Sequence, residues 1–123
     1  VSEDAVLAEM ERLNNVSMSL VSDFTMAAPE RAAAEAAHKL ARAKRILLAR
    51  HNGVKSMAEA EVIAEADDQV SALYADRLNQ DAVLESIREA LRSVRVNQDA
   101  LRTAAASARD GVTGPGWKGG PNV

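Results

Sequence analysis

The stretch LESIREALRSVRVNQDALRTAAASAR, residues 84–109, decides the reading of the fold. Leu84, Leu91, Gln98 and Ala105 recur every seven residues, and Ile87, Val94, Leu101 and Ala108 form a second series in step with them. With the first series at position a and the second at position d, Arg88, Arg95, Arg102 and Arg109 fill every e position. A seven-residue apolar repeat keeps one seam on one side of a supercoiled helix. The segment is therefore expected to be a helix with a buried seam and a column of cations beside it. Such a column pairs with acids on a neighbouring helix or binds a polyanion such as nucleic acid.

Working outward, prolines occur only at 29, 115 and 121, and between residues 30 and 113 the only glycines are Gly53 and Gly111. That spacing predicts an almost wholly helical chain. Four elements follow. The first runs from about Ser2 to Leu13 or Leu20, capped by Ser2, with Val6, Met10 and Leu13 on its apolar face and weak helix formers after Asn14. The second begins near Pro29 and ends at His51-Asn52-Gly53, where glycine supplies a left-handed cap. Its expected buried stripe is Ala33, Ala36, Ala37, Leu40, Ala43 and Leu47. The third opens with the capping box Ser56-Met57-Ala58-Glu59 and carries Val62 and Ile63. Asp67-Asp68 either starts a fourth helix or lies within a continuous one. The fourth runs to Asp110, spans roughly 65 Å at about 1.5 Å per residue, and is stopped by Gly111. These elements group into an acidic helix and linker at 1–26, a helical hairpin at 27–110 and a Gly/Pro-rich tail at 111–123, expected to be flexible.

Alanine supplies much of the 47% hydrophobic content, and Phe24, Tyr74 and Trp117 are the only aromatics. A chain of 123 residues this poor in bulky groups buries limited apolar area, so self-association is expected to complete the core. Formal net charge is −3, but the charge falls in blocks. Residues 1–30 hold six acids against Arg12, and residues 56–80 hold six acids against Arg77. Between them Arg31, Lys39, Arg42, Lys44, Arg45, Arg50 and Lys55 stand against Glu35 alone. Blocks of alternating sign suit antiparallel helices or neighbouring subunits that attract one another, or leave a basic surface open for phosphates. The basic block also raises the idea that the acidic 1–30 block covers it until DNA displaces the cover.

With no cysteine there is no disulfide, thiolate nucleophile or cysteine-based metal site, in keeping with a reducing cytoplasm. No apolar run approaches the roughly 20 residues of a membrane span, no signal peptide is visible, and Val1 fits a GTG start codon of a bacterial or phage gene. His38 and His51 match no H-E-x-x-H pattern and are expected at the solvated helix surface. Neither a nucleophile elbow, a phosphate loop nor an EF-hand is present. The expectation is a protein that is not an enzyme and holds no metal or cofactor.

Two basic features carry the functional reading. One is Lys39, Arg42, Lys44, Arg45 and Arg50, with Lys55 after the turn. The other is the arginine column with Arg92 beside it. Arginine binds phosphate bidentately. The helices lack interleaved aromatics, so backbone contact with little sequence preference is expected, with stacking open only to Tyr74 or Trp117.

The order of these parts resembles the phage recombination mediator UvsY family. The resemblance begins at Lys39-Leu40-Ala41-Arg42-Ala43-Lys44-Arg45-Ile46-Leu47-Leu48-Ala49-Arg50, continues through Gly53 and Ser56-Met57-Ala58-Glu59, and ends with Leu91-Arg92-Ser93-Val94-Arg95. It covers roughly residues 30–108. It implies DNA contact by the Lys39–Lys55 block, subunit assembly by the long helix, and action with a RecA-like recombinase and a single-strand-binding protein.

The expectation that follows is an all-α, elongated antiparallel helical hairpin that self-associates through Leu84, Ile87, Leu91, Val94 and Leu101. It would act in the bacterial cytoplasm during phage infection as a single-stranded DNA-binding accessory protein. Lys39, Arg42, Lys44, Arg45, Arg50 and Lys55 would neutralise phosphates, and Arg88, Arg92, Arg95 and Arg102 would extend that surface or pin subunits. The alternative is a structural coiled-coil or scaffold protein of a phage, in which the same arginines bridge to acids.

Overall fold

Residue order and helix chemistry give three helices: α1 (Glu3–His51), α2 (Met57–Ala66) and α3 (Asp68–Thr113). The computed structural model describes residues 2–113, with side chains described for 2–110. The described residues contain no strand, and the fold is all-α. Trp117 and the rest of the tail lie outside the described residues.

Each helix end has a chemical cause. Ser2 Oγ accepts the Ala5 N–H at 3.1 Å and starts α1 beside Glu3 and Asp4, whose charge suits the helix N-terminus. At the other end the Gly53 N–H donates to the Arg50 carbonyl and the Val54 N–H to the Ala49 carbonyl, both at 3.1 Å. This pair of bonds is a Schellman turn, and Gly53 takes the positive φ of 104° that it requires. Ser56 Oγ accepts the Glu59 N–H at 3.3 Å to start α2. Asp67 settles the question left open by the sequence: its Oδ2 accepts from the Gln69 and Val70 N–H groups, both at 3.1 Å, so α3 is a separate helix. A methyl group on Gly53 would meet nothing within 4 Å. Gly53→Ala is therefore expected to lower unfolding free energy by backbone strain alone, by about 1–2 kcal/mol. Denaturant titration checks this, and an unchanged midpoint would contradict the turn.

Two compact units result, one from the start of α1 up to Ser22 with α3 from Arg88, the other from Asp23 to Ile87. In the second, α1 and α3 run antiparallel: Arg31 pairs with Asp81, Glu35 with Arg77, and the His38 ring lies tilted against Tyr74, so rising numbers on α1 meet falling numbers on α3. Ala34, Ala49, Ala60, Ala64, Val70 and Leu84 are buried in it, together with His38. Ala60 and Ala64 of α2 are wholly covered, because alanine lets helix backbones approach closely. In the first unit Val6 and Leu13 of α1 and Val94 of α3 are buried.

Three expectations need correction. The break expected between Asn14 and Pro29 does not occur, because α1 continues through it as one helix of 49 residues. The reason is a spacing of four and three that never lapses: Val6, Met10, Leu13, Ser17, Leu20, Phe24, Ala27, Arg31, Ala34, His38, Ala41 and Arg45 are all buried or half-buried. Asn14, Asn15, Ser19, Ser22 and Pro29 sit on the exposed side, where a poor helix former is tolerated. Pro29 has no N–H to donate to the preceding turn, and α1 continues through it. The stripe Ala33, Ala36, Ala37, Leu40, Ala43 and Leu47 is exposed rather than buried. The covered residues are instead Ala34, His38 and Ala49, with Ala41, Arg42 and Arg45 half-covered at their edges. Alanine occurs on both sides of this part of the helix, and the covered side is the one on which Arg31, Arg42 and Arg45 meet acids from beyond α1. Finally, Gly111 does not end α3, which continues to Thr113.

Candidate nucleic-acid interface and the polar network beside it

The basic block divides into committed and uncommitted cations. Arg42 Nη2 lies 3.3 Å from Glu61 Oε2 and 3.2 Å from Glu65 Oε2, so it ties α1 to α2. Hydrogen bonds to Glu65 and then Glu61 hold the Arg42 guanidinium pKa above its ordinary value. Arg45 Nε lies 3.4 Å from Asp67 Oδ1, on the same carboxylate whose other oxygen caps α3. One acid thus anchors a helix start and a neighbouring cation. Lys39 Nζ reaches Glu35 Oε2 at 3.1 Å and stays largely exposed. Lys44, Arg50 and Lys55 are exposed, and they make no ion pair among the described residues. Among the described residues, the acids from beyond α1 that meet the basic block are Glu61, Glu65 and Asp67 of the 56–80 block and Asp81, which meets Arg31; none belongs to residues 1–30.

The arginine column faces solvent. Arg88, Arg92, Arg95, Arg102 and Arg109 are all exposed. Arg92 pairs with Glu89, and Arg102 pairs with Asp99 at 2.7 Å, each one turn back on α3. Arg95 makes no ion pair among the described residues. The seam residues assigned to assembly are covered within the chain itself. Leu84 and Val94 are buried, and Ile87, Leu91 and Leu101 are half-buried.

A polar network not anticipated from the sequence crosses between α1 and α3 in the Asp23–Ile87 unit. Asp81 Oδ1 accepts from Arg31 Nε at 2.6 Å. Arg31 also approaches Glu35 at 3.7 Å. Arg77 donates from Nη2 to Glu35 Oε2 at 3.2 Å and from Nη1 to His38 Nδ1 at 3.1 Å. An arginine only donates, so His38 Nδ1 accepts and the imidazole is neutral with its proton on Nε2. His38 is 8% exposed, which corrects the expectation of a solvated histidine. Its ring centroid lies 5.1 Å from that of Tyr74. Beside it His38, Arg42, Glu65, Val70, Ser71 and Tyr74 line an open cavity of about 410 Å³.

The network was detectable by carrying the heptad backward. Arg77 and Val70 precede Leu84 at steps of seven, and Arg31, His38 and Arg45 share another such series on α1. Charged residues at seam positions signal a part-buried paired network between helices.

The network is electrostatically tuned. Lys39, then Arg31 and Arg77, hold the Glu35 carboxyl below its ordinary pKa. Burial, then the charges of Arg77 and Arg42, push the His38 pKa below its ordinary value. The unfolded chain therefore binds more protons than the folded chain between that lowered pKa and the ordinary value near ~6.5. Stability rises with pH through this window and is lost as pH falls through it. Acidification from about pH 7 to about pH 5 is expected to lower the melting temperature, and His38→Gln is expected to flatten that dependence. An equal slope in both proteins would contradict a buried neutral His38.

Among the described residues no group of three or more metal-ligating side chains comes together. No described helix is long and apolar enough to cross a membrane. No protein-family model, curated protein or solved structure matches this chain.

Proposed function

We propose that this chain is a non-enzymatic accessory protein that binds single-stranded DNA through the phosphate backbone, without strong sequence preference, in phage recombination. The observation that carries this reading is the set of exposed, uncommitted cations Lys44, Arg50 and Lys55 at the end of α1 and its turn. No acid among the described residues neutralises them, so their charge is available to phosphates. Lys39 lies on the same helix with an exposed pair that phosphate can replace. Arg42 and Arg45 stand behind them and hold α2 and the start of α3. On α3 the exposed arginines Arg88, Arg92, Arg95 and Arg102 serve as further phosphate contacts or pin neighbouring subunits. In this role the protein would be a mediator in the host cytoplasm, working with a RecA-like recombinase and a single-strand-binding protein.

A second reading is a structural coiled-coil or scaffold protein of a phage. The pairing of Arg42 with Glu61 and Glu65, and of Arg45 with Asp67, favours it, since acids already satisfy those arginines. Titration of fluorescent oligo-dT, oligo-dA, a mixed-sequence strand and a duplex of equal length separates the two. The mediator reading expects similar affinity for all three single strands and weaker duplex binding. Failure to bind any of them leaves the scaffold reading.

A further inference from the structure

The outer face of α1 in the Asp23–Ile87 unit has a symmetry that the hairpin does not use. Met26, Glu30, Ala33, Ala37, Ala41, Lys44 and Leu48 follow one another at spacings of four, three, four, four, three and four. At about 100° per residue all lie within about 40° of the direction of Ala37. The spacing reads the same from either end, with Ala37 at its centre. The residues at equal distances from that centre match in chemistry: Met26 with Leu48, Glu30 with Lys44, Ala33 with Ala41. A two-fold axis at Ala37 would bring those partners together across two antiparallel copies of the helix, each pair occurring twice.

The face is open and apolar at its centre. Met26 is 70% exposed, Leu40 57% and Leu48 50%. Ala33 and Ala37 are exposed, and Ala41 is half-covered. Two grooves meet at Ala37: one is lined by Met26, Pro29, Glu30, Ala33 and Ala34 with Asp76 and Gln80, the other by Leu40, Ala41, Lys44 and Leu48 with Gln69 and Leu73. Glu30 and Lys44 make no ion pair among the described residues, so both charges at the rim are uncommitted. Alanines at the crossing point allow the helix backbones to approach closely.

We infer that a second copy of this chain docks on this face, with α1 antiparallel to α1, Ala37 against Ala37, and Glu30 of each copy paired with Lys44 of the other. Two hairpins then make a four-helix layer pair around a shared core. A single hairpin has a thin core: among the described residues no large side chain is completely covered, while many large apolar residues are exposed. The occupant is set by charge complementarity. The face carries its own opposite charge at the mirror position, as an isologous interface requires. The inference shares Lys44 with the proposed phosphate surface and is tested without DNA. In this arrangement Lys44 serves the interface, and Arg50 lies roughly 20 Å from the axis on each copy, leaving Arg50 and Lys55 at the two outer ends.

Sedimentation equilibrium of the full chain without DNA tests this, with circular dichroism confirming that each variant is helical. The wild type is expected to be dimeric. Ala37→Arg, which places two cations on the axis, is expected to leave a monomer. Glu30→Lys sets lysine against Lys44 at two places and is expected to weaken the dimer by about tenfold or more. Adding Lys44→Glu to Glu30→Lys restores opposite charges and is expected to recover the affinity. A monomeric wild type at about 100 µM (the range of weak association), an oligomer indifferent to Ala37→Arg, or a double variant no tighter than Glu30→Lys would each overturn the inference.

Discussion

Leu84→Ala is expected to cost about 3 kcal/mol of unfolding free energy, within the range for truncating a buried leucine. Leu84 is 4% exposed. It is also the largest buried aliphatic side chain of the Asp23–Ile87 unit, where the other buried apolar residues are four alanines and Val70. A core made so largely of alanine has few side chains able to move into the space that Leu84 would leave, so the cavity would persist. Domains are stable by only about 5–15 kcal/mol in total, and one change would remove a large part of that. Val83→Ala, at a neighbouring position that is 47% exposed, is expected to change stability by less than about 0.5 kcal/mol. Urea titration of the two variants makes the comparison. Equal midpoints would mean that the seam of α3 is not the interior of this fold.

Arg50→Gln with Lys55→Gln is expected to weaken single-stranded DNA binding on the order of tenfold and to reduce the salt slope by about 1.4, at roughly 0.7 for each lost phosphate contact. Neither side chain makes an ion pair among the described residues, so helical content should be unchanged. Arg42→Gln with Arg45→Gln should behave differently. Those changes remove the ties to Glu61, Glu65 and Asp67, so they are expected to lower the melting temperature and to alter the salt slope less. Measured side by side, the two double variants separate cations that serve the fold from cations that serve phosphate. A larger loss of DNA affinity in the Arg42 and Arg45 pair, with unchanged stability, would reverse that assignment.

The all-α class was legible because helix punctuation is local. Ser2, Gly53, Ser56 and Asp67 each act within a few residues of themselves, and the structure uses all four as caps or turns. The α3 seam was legible for a related reason: Leu84, Ile87, Leu91 and Val94 are bulky and evenly spaced. The orientation of α1 was not. Its covered side carries Arg31, His38, Arg42 and Arg45, and its exposed side carries Met26, Leu40 and Leu47. Reading apolar residues as interior therefore turned the helix the wrong way. The covered side is marked instead by pairing at long range, Arg31 with Asp81 and Arg42 with Glu61 and Glu65, which depends on the register between helices. The same register separates Arg42 and Arg45 from Lys44 and Arg50 within one basic block, although composition treats all four alike. The wrongly assigned stripe still held information. Ala33, Ala37 and Leu40 are apolar and lie on the face proposed to receive a second copy.

The salt dependence of binding to a labelled single-stranded oligonucleotide tests the central claim most directly. If Lys39, Arg50 and Lys55 contact phosphates, the logarithm of the affinity should fall linearly with the logarithm of salt concentration. The expected slope is about −2 or steeper, for three contacts at roughly 0.7 each. No binding at low salt, or binding that salt does not weaken, would contradict a phosphate-tracking surface and leave these cations as features of an assembly protein.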